Sequence, residues 1–177
     1  SGSSSLHAAR PVLKIQKVYV VSLSDGIGSI LLLLRELNIS FTGIAVERCA
    51  EFWDLARTHF PDIVHLHDAY DYDHRSTVAS AVVHNCTVVL VASRPPNLQL
   101  GPATNTPENR SLPMALAFTI VQYLQPACEA AGLTFKCMIE ESSNVPEHVR
   151  DRISTTMGTP TLVTSADWGW VHRTRLW

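Results

Sequence analysis

The apolar positions of this chain fall into two rhythms. Short β-branched runs alternate with longer stretches of helical composition. Lys17–Leu23 (KVYVVSL) predicts a first strand, broken by the two glycines of SDGIGS. Ile30–Leu37 predicts a helix ending near Asn38, and Phe41–Val46 a second strand. Cys49–Phe60 predicts a helix closed by Pro61, and Ile63–Leu66 a short third strand followed by the polar loop HDAYDYD. Thr77–Val83 predicts a helix and Cys86–Val91 a fourth strand. Arg94–Leu112 is rich in Pro, Asn and Thr without periodicity, which predicts a long loop. Pro113–Ala131 predicts a helix kinked at Pro126 and ended by Gly132, and Phe135–Ile139 a fifth strand. Pro146–Thr155 has proline at a first helical position, and Thr161–Thr164 and Val171–Trp177 are the last strand candidates. No segment repeats. Strands alternating with helices predict an α/β fold: a Rossmann-like, mostly parallel sheet with helices on both faces. Ligands of such sheets bind beyond the carboxyl ends of the strands.

The chain has 177 residues and is 46% hydrophobic, which suits one domain over residues 13–177. The small, polar start, residues 1–12, reads as a flexible arm or tag remnant. Charged residues are only 17% and the net charge is −2, so there is no overall basic character of the kind a free-standing DNA binder shows. A local basic cluster remains at Arg150, Arg152, Arg173 and Arg175. No apolar run reaches the roughly 18 residues of a membrane span. The cysteines, Cys49, Cys86, Cys128 and Cys137, form no CxxC pair and have no zinc spacing to the histidines. They read as thiols in a reducing, intracellular setting, and no metal is expected.

The strand ends carry the candidate chemistry. Beyond strand one, Asp25-Gly26-Ile27-Gly28 would let backbone N–H groups approach a ligand at the positive end of the next helix. The spacing is not G-x-G-x-x-G, and a ligand-free tight turn explains it as well. Beyond strand two, Glu47 is placed to take the two hydroxyls of a ribose, or equally to sit at a helix N-terminus favoured by the dipole. Beyond strand three, Asp68 could accept a hydrogen bond from an adenine amino group or be a solvated loop acid. The three together point to an adenosyl pocket. Other conspicuous residues have plainer readings. His65, His67, His74 and His84 read as solvated histidines, Trp168, Trp170 and Trp177 as one packed face, and Leu31–Leu34 as a helix buried on the sheet and against a second subunit.

In order along the chain, VVSLSDGIGS, AVERC, HDAYD and VHRTRLW resemble motifs of the DNA cytosine-5 methyltransferases, closest to the animal de novo branch. The resemblance runs through most of Lys17–Trp177. It implies S-adenosylmethionine or S-adenosylhomocysteine as cofactor. Ser24, Asp25, Gly26, Ile27 and Gly28 then correspond to the first motif, Glu47 and Arg48 to the ribose position, and Asp68 and Ala69 to the adenine position. Ser24 stands where the family has an aromatic residue. Glu140 or Glu141 falls in the place of the glutamate that grips the target ring, without the asparagine that follows it in the family. Arg173 and Arg175 fall on the two arginines of the eighth motif.

The departure lies in Ala92–Leu100 (ASRPPNLQL). In the family this loop carries Pro-Cys, and the thiolate attacks carbon 6 of cytosine so that carbon 5 can take the methyl. Here Pro95 aligns with the proline and Pro96 with the cysteine. Cys86 belongs to the other end of the strand, out of reach at a rise of roughly 3.3 Å per residue. The resemblance therefore implies a methyltransferase-like domain without covalent cytosine-5 chemistry, acting as a cofactor-binding regulatory or scaffolding module. The partner would be another protein or a second copy. Nucleic acid would bind only with additional segments, since no target-recognition region or closing motif can be identified, and the location would be nuclear. An alternative is an active methyltransferase, either as part of a cytosine-5 enzyme or through amino-methyltransferase chemistry at Pro95-Pro96.

Overall fold

A computed structural model of the chain describes residues 16–24, 26–93, 107–142, 147–159, 161–164 and 174–176. Five strands, β1 (Val18–Leu23), β2 (Phe41–Val46), β3 (Val64–Leu66), β4 (Val88–Ser93) and β5 (Thr134–Ile139), form one all-parallel sheet in the order β3-β2-β1-β4-β5. Between them run α1 (Ser29–Glu36), α2 (Ala50–His59), α3 (Thr77–Val83) and α4 (Pro107–Ala130). Beyond β5 come β6 (Glu141–Ser142), α5 (Glu147–Met157), β7 (Leu162–Thr164) and β8 (Thr174–Leu176). The three short strands make a second, antiparallel sheet in the order β6-β8-β7.

Strand parity builds two cores. Every residue of β1 is buried, as a continuous apolar run between two covered faces requires. Tyr19, Val21 and Leu23 join Val89 and Val91 on one face, beneath Ala81 of α3, Ala117, Ile120, Val121, Leu124 and Cys128 of α4, and Ile153 of α5. Val20, Ala45 and Ala92 face the other way, against Ile30, Leu31 and Leu34 of α1 and the Phe60–Ile63 corner after α2. The leucine run thus divides: Leu31 and Leu34 are buried, while Leu33 is 48% exposed. In the first core the Tyr72 hydroxyl and the Thr77 hydroxyl satisfy each other, and burial pushes the Tyr72 phenol well above its ordinary range.

Helix ends follow local chemistry. α1 and α3 stop at Asn38 and Asn85, each in the left-handed conformation that asparagine tolerates. Bonds from Ile39 N–H to Leu34 C=O and from Cys86 N–H to Ala81 C=O close these ends. Gly132 ends α4 in the same way, with Leu133 N–H reaching Cys128 C=O at 2.9 Å. β2, α3 and the fifth strand match the sequence expectations closely, whereas α4 begins earlier than expected. Pro107 opens it and Glu108 occupies its first turn, both favourable at a helix N-terminus, so the expected loop gives up residues 107–112. The helix runs on through Pro126.

Gly43 in β2 has φ +148°, a conformation that L side chains rarely adopt. It lies opposite Val20, and a Cβ there would overlap the Val20 carbonyl. Gly43→Ala should therefore destabilise the domain by roughly 3 kcal/mol or more, because both strands must shift within a closely packed core. Urea unfolding measures the loss; a change below about 1 kcal/mol would mean that β1 and β2 are not so closely apposed.

Candidate functional site

Because the five strands are parallel, their carboxyl ends share one edge, and the chain leaves β1 and β4 toward opposite sides of the sheet. That is the topological switch point at which such sheets bind ligands. A cavity of about 180 Å³ lies there. Its walls are Ser22, Leu23 and Ser24 at the end of β1, Ser29, Ile30 and Leu33 at the start of α1, Ala92 and Ser93 at the end of β4, and Met138 and Glu140 at the end of β5. The Glu140 N–H donates to the Ser93 carbonyl at 3.0 Å, which fixes the last two strand ends together.

The loop leaving β1 is held in unusual backbone geometry. Ser24 has φ +55°, Gly26 φ +61° and Gly28, the residue capping α1, φ +83°. Glycine adopts these angles freely, whereas serine does so at a cost of about 1 kcal/mol. The space where a Gly26 Cβ would project holds no atom within 4 Å. What fixes the loop is Glu47, half-buried just beyond β2. One carboxylate oxygen accepts from Gly26 N–H at 2.7 Å, and the other from Cys49 N–H at 2.8 Å at the start of α2. Its own N–H donates to the Leu66 carbonyl at 3.0 Å, tying in the end of β3. One side chain therefore joins the ends of β1, β2 and α2.

Asp68, one step beyond β3, caps a single 3-10 turn, Ala69–Asp71, by accepting from Tyr70 N–H at 3.0 Å. The capping bond fixes the direction of the carboxylate. Ala69 is half-buried against the first core, while Arg48 and Ile27 are exposed. Read across the edge, the order is Asp68, Glu47, the glycine loop, Ser93 and Glu140. At about 4.8 Å between neighbouring strands this row runs to roughly 19 Å.

The structure thus gathers Ser24, Gly26, Ile27, Gly28, Glu47, Arg48, Asp68, Ala69 and Glu140 along one edge. Glu141 opens β6 opposite Leu176, and Arg175 lies opposite Ser142 in β8, so the pairing brings the expected arginine strand alongside the segment just after β5. Asp25, Pro96 and Arg173 lie outside the described residues, as do Trp168, Trp170 and Trp177. Ser29, Leu33, Ser93 and Met138 were not among the sequence candidates. Their only signal was position at the ends of β4 and β5 and in the first turns of α1.

All four cysteines are described, and none lines the cavity. Cys86 lies buried before β4 begins, at its far end, and Cys128, on α4, is sealed in the first core. Cys137 packs into the first core, on the face of β5 away from Met138. Burial pushes the thiols of all three above the ordinary cysteine range. Cys49 donates its thiol to Glu51 at 3.0 Å. The histidines have structural partners: the His65 ring meets the Phe60 carbonyl at 2.9 Å, His67 stacks on Trp53 at 4.2 Å, and His74 meets Tyr123 edge-on. Among the described residues no three His, Cys, Asp or Glu side chains converge as a metal site, and no helix is long and apolar enough to cross a membrane.

No family model matches the chain, and no curated protein matches its sequence. Solved structures do. A protein assigned as a DNA modification methyltransferase, encoded within a prophage of E. coli, superposes with a TM-score of 0.64 at 16% identity over 91% of this chain. The two chains share a fold. DNMT2 of Spodoptera frugiperda (TM-score 0.57, 17% identity) and the Dnmt2 methyltransferase of S. pombe (TM-score 0.57, 16% identity) share it, each over 91% of this chain. The chain spans 45% of the length of the first of these proteins and 48% of the other two. At such identities the likeness establishes the fold.

Glu47→Ala should free the Gly26 and Cys49 amides together. A loss of about 1–3 kcal/mol in urea unfolding is expected, from two part-buried donors left without their acceptor. Glu47→Gln should fall between wild type and alanine, since an amide offers only one acceptor oxygen. Equal stability of all three forms would show that Glu47 does not hold the loop.

Proposed function

We propose that this chain is a DNA cytosine-5 methyltransferase-like module that holds S-adenosylmethionine or S-adenosylhomocysteine along its strand edge, lacks the covalent cytosine-5 step, and acts as a regulatory or scaffolding partner. The observation that carries the reading is the position of the four thiols, all away from the cavity at the ends of β1, β4 and β5, together with proline at position 96. Attack on carbon 6 of a pyrimidine needs a thiolate beside the ring. Burial pushes three of these thiols above the ordinary cysteine range, and Pro96 offers no nucleophile.

The residues present fit an adenosyl ligand. A carboxylate has about four acceptor positions, and Glu47 commits two to backbone N–H groups. Two remain for the hydroxyls of a ribose, so the bonds that orient the side chain also prepare it. The Asp68 carboxylate, oriented by its turn, would accept from the adenine amino group. The open space over Gly26 admits the sugar close to the backbone, and the uncapped N-terminus of α1 offers donors on the same side. The cofactor would supply a methyl group on a positively charged sulfur, and the protein's part is to bind and orient it. DNA contact and nuclear residence belong to the longer assemblies in which such a module would act. Leu33 on α1 and Leu37 just after it, both exposed, are the surface we assign to a protein partner or a second copy.

Three measurements test this. S-adenosylhomocysteine at about 100 times its Kd should add roughly 2.7 kcal/mol to stability, a rise of several degrees in Tm. Glu47→Ala should abolish that rise; an undiminished rise removes Glu47 as the ribose ligand. With cofactor labelled in its methyl group, cytosine in DNA should gain no carbon-5 label above background, and formation of 5-methylcytosine by the purified chain would overturn the proposal. Size-exclusion chromatography with light scattering should show a dimer, or a complex with an active methyltransferase, that Leu33→Lys disrupts.

A further inference from the structure

Helix α2 carries two stripes of the same spacing, since residues three and four apart share a helix face. Trp53, Ala56 and, just past the helix end, Phe60 pack inward: Ala56 and Phe60 are buried, and the Trp53 ring stacks on His67. Phe52, Leu55 and His59 repeat that spacing one residue earlier, and all three are exposed, Phe52 by 46% and Leu55 by 42%. Isolated apolar residues at a surface are ordinary. Here two large ones lie side by side, bordered by Glu51 at one end and His59 at the other. Charge along the helix is ordered by sign, with Glu51 and Asp54 ahead of Arg57 and His59. The helix dipole favours that order within one molecule, but it gives Phe52 and Leu55 no reason to face water. Asp54 and Arg57 meet each other at 3.7 Å, and the Arg57 guanidinium lies over the Trp53 ring. Glu51, exposed, accepts the Cys49 thiol at 3.0 Å and carries its charge beside the stripe.

We propose that a second copy of this chain docks on the Phe52–Leu55–His59 stripe, α2 against α2 in antiparallel order about a two-fold axis near Leu55. A two-fold interface uses the same patch on both partners, so the patch must complement itself. Reversed on itself, this one does. Leu55 meets its counterpart on the axis, Phe52 of each copy lies toward His59 of the other, and Glu51 comes to the basic end of the other helix at both ends of the contact. Each helix's positive end also lies beside the other's negative end. Parallel helices would set Glu51 on Glu51, and a partner of one charge sign would suit only half of the stripe. A ten-residue helix is about 15 Å long, far short of the roughly 800 Å² per partner that a stable interface buries. The dimer is therefore weak, with a Kd on the order of 10 μM or above. The inference goes beyond the function proposed above and does not depend on cofactor binding. With the second copy on α2, Leu33 and Leu37 are left for a different protein.

Sedimentation velocity of the full chain, over a concentration series spanning the micromolar range, tests this. Wild type should pass from monomer to dimer as concentration rises. Leu55→Asp sets two carboxylates against each other on the axis and should stay monomeric throughout, with a Tm near that of wild type because the position is exposed. Glu51→Lys should raise the Kd several-fold, and adding His59→Glu in the same chain should restore it, because both cross-pairs return with their signs reversed. Should Leu55→Asp fold poorly, the reversal pair decides the matter, since Glu51 and His59 are both exposed. A wild-type chain monomeric at every concentration, a dimer that survives Leu55→Asp, or a double reversal no tighter than Glu51→Lys alone would overturn the inference. A dimer lost in Leu33→Lys but kept in Leu55→Asp would place the second copy on α1 and overturn it as well.

Discussion

Two hydrogen bonds that the Glu47 carboxylate accepts, from Gly26 N–H and Cys49 N–H, join parts of the molecule that the chain keeps apart. They hold a loop with departures into positive φ at Ser24, Gly26 and Gly28. Without that acceptor the loop would have no reason to keep an expensive conformation over an apolar helix start. With it, the N-terminus of α1, the end of β2 and the cavity form one rigid border. The site follows from the clamp more than from any residue facing solvent.

The clamp in turn depends on the sheet. Parallel pairing in register, Val18 with Phe41 and with Val88 and so on to Leu23 with Val46 and Ser93, brings the ends of β1, β2 and β4 level. Gly43 pairs with Val20, where a Cβ would overlap the Val20 carbonyl and disturb the pairing of the two strands. Burial on both faces of β1 makes a one-residue slip costly, since it would turn Val20 and Val21 each into the wrong core. The functional edge is thus fixed by packing far beneath it, as in other open α/β sheets.

Much of this was legible in the sequence. β2 and α3 show their period and their stop signals within the segment itself, so Phe41–Val46 and Thr77–Val83 were read to the residue. The fold order and the positions of the glycine loop, Glu47 and Asp68 followed from strand ends, which are local. The start of α4 was hidden because Pro107-Glu108-Asn109 is a good helix opening inside a composition that reads as loop. The cavity was hidden because Ser93, Met138 and Leu33 meet only once β4, β5 and α1 are adjacent, and no spacing records that adjacency. The pairing of β6 with β8 joins two- and three-residue strands far apart in sequence, too short to carry a pattern. For Glu47 the sequence offered a ribose ligand or a helix-start acid. The structure gives it the capping contact with Cys49 and adds the bond to Gly26, which no sequence rule anticipates.

The most direct test of the central claim is an amide-resolved NMR titration of the chain with S-adenosylmethionine. On this account the perturbed amides are Gly26 to Ser29, Glu47 to Cys49, Asp68 to Tyr70, and the pair Ser93 and Glu140, with those beneath α4 unmoved. Perturbations centred on any other face, or a spectrum unchanged at saturating ligand, would contradict it.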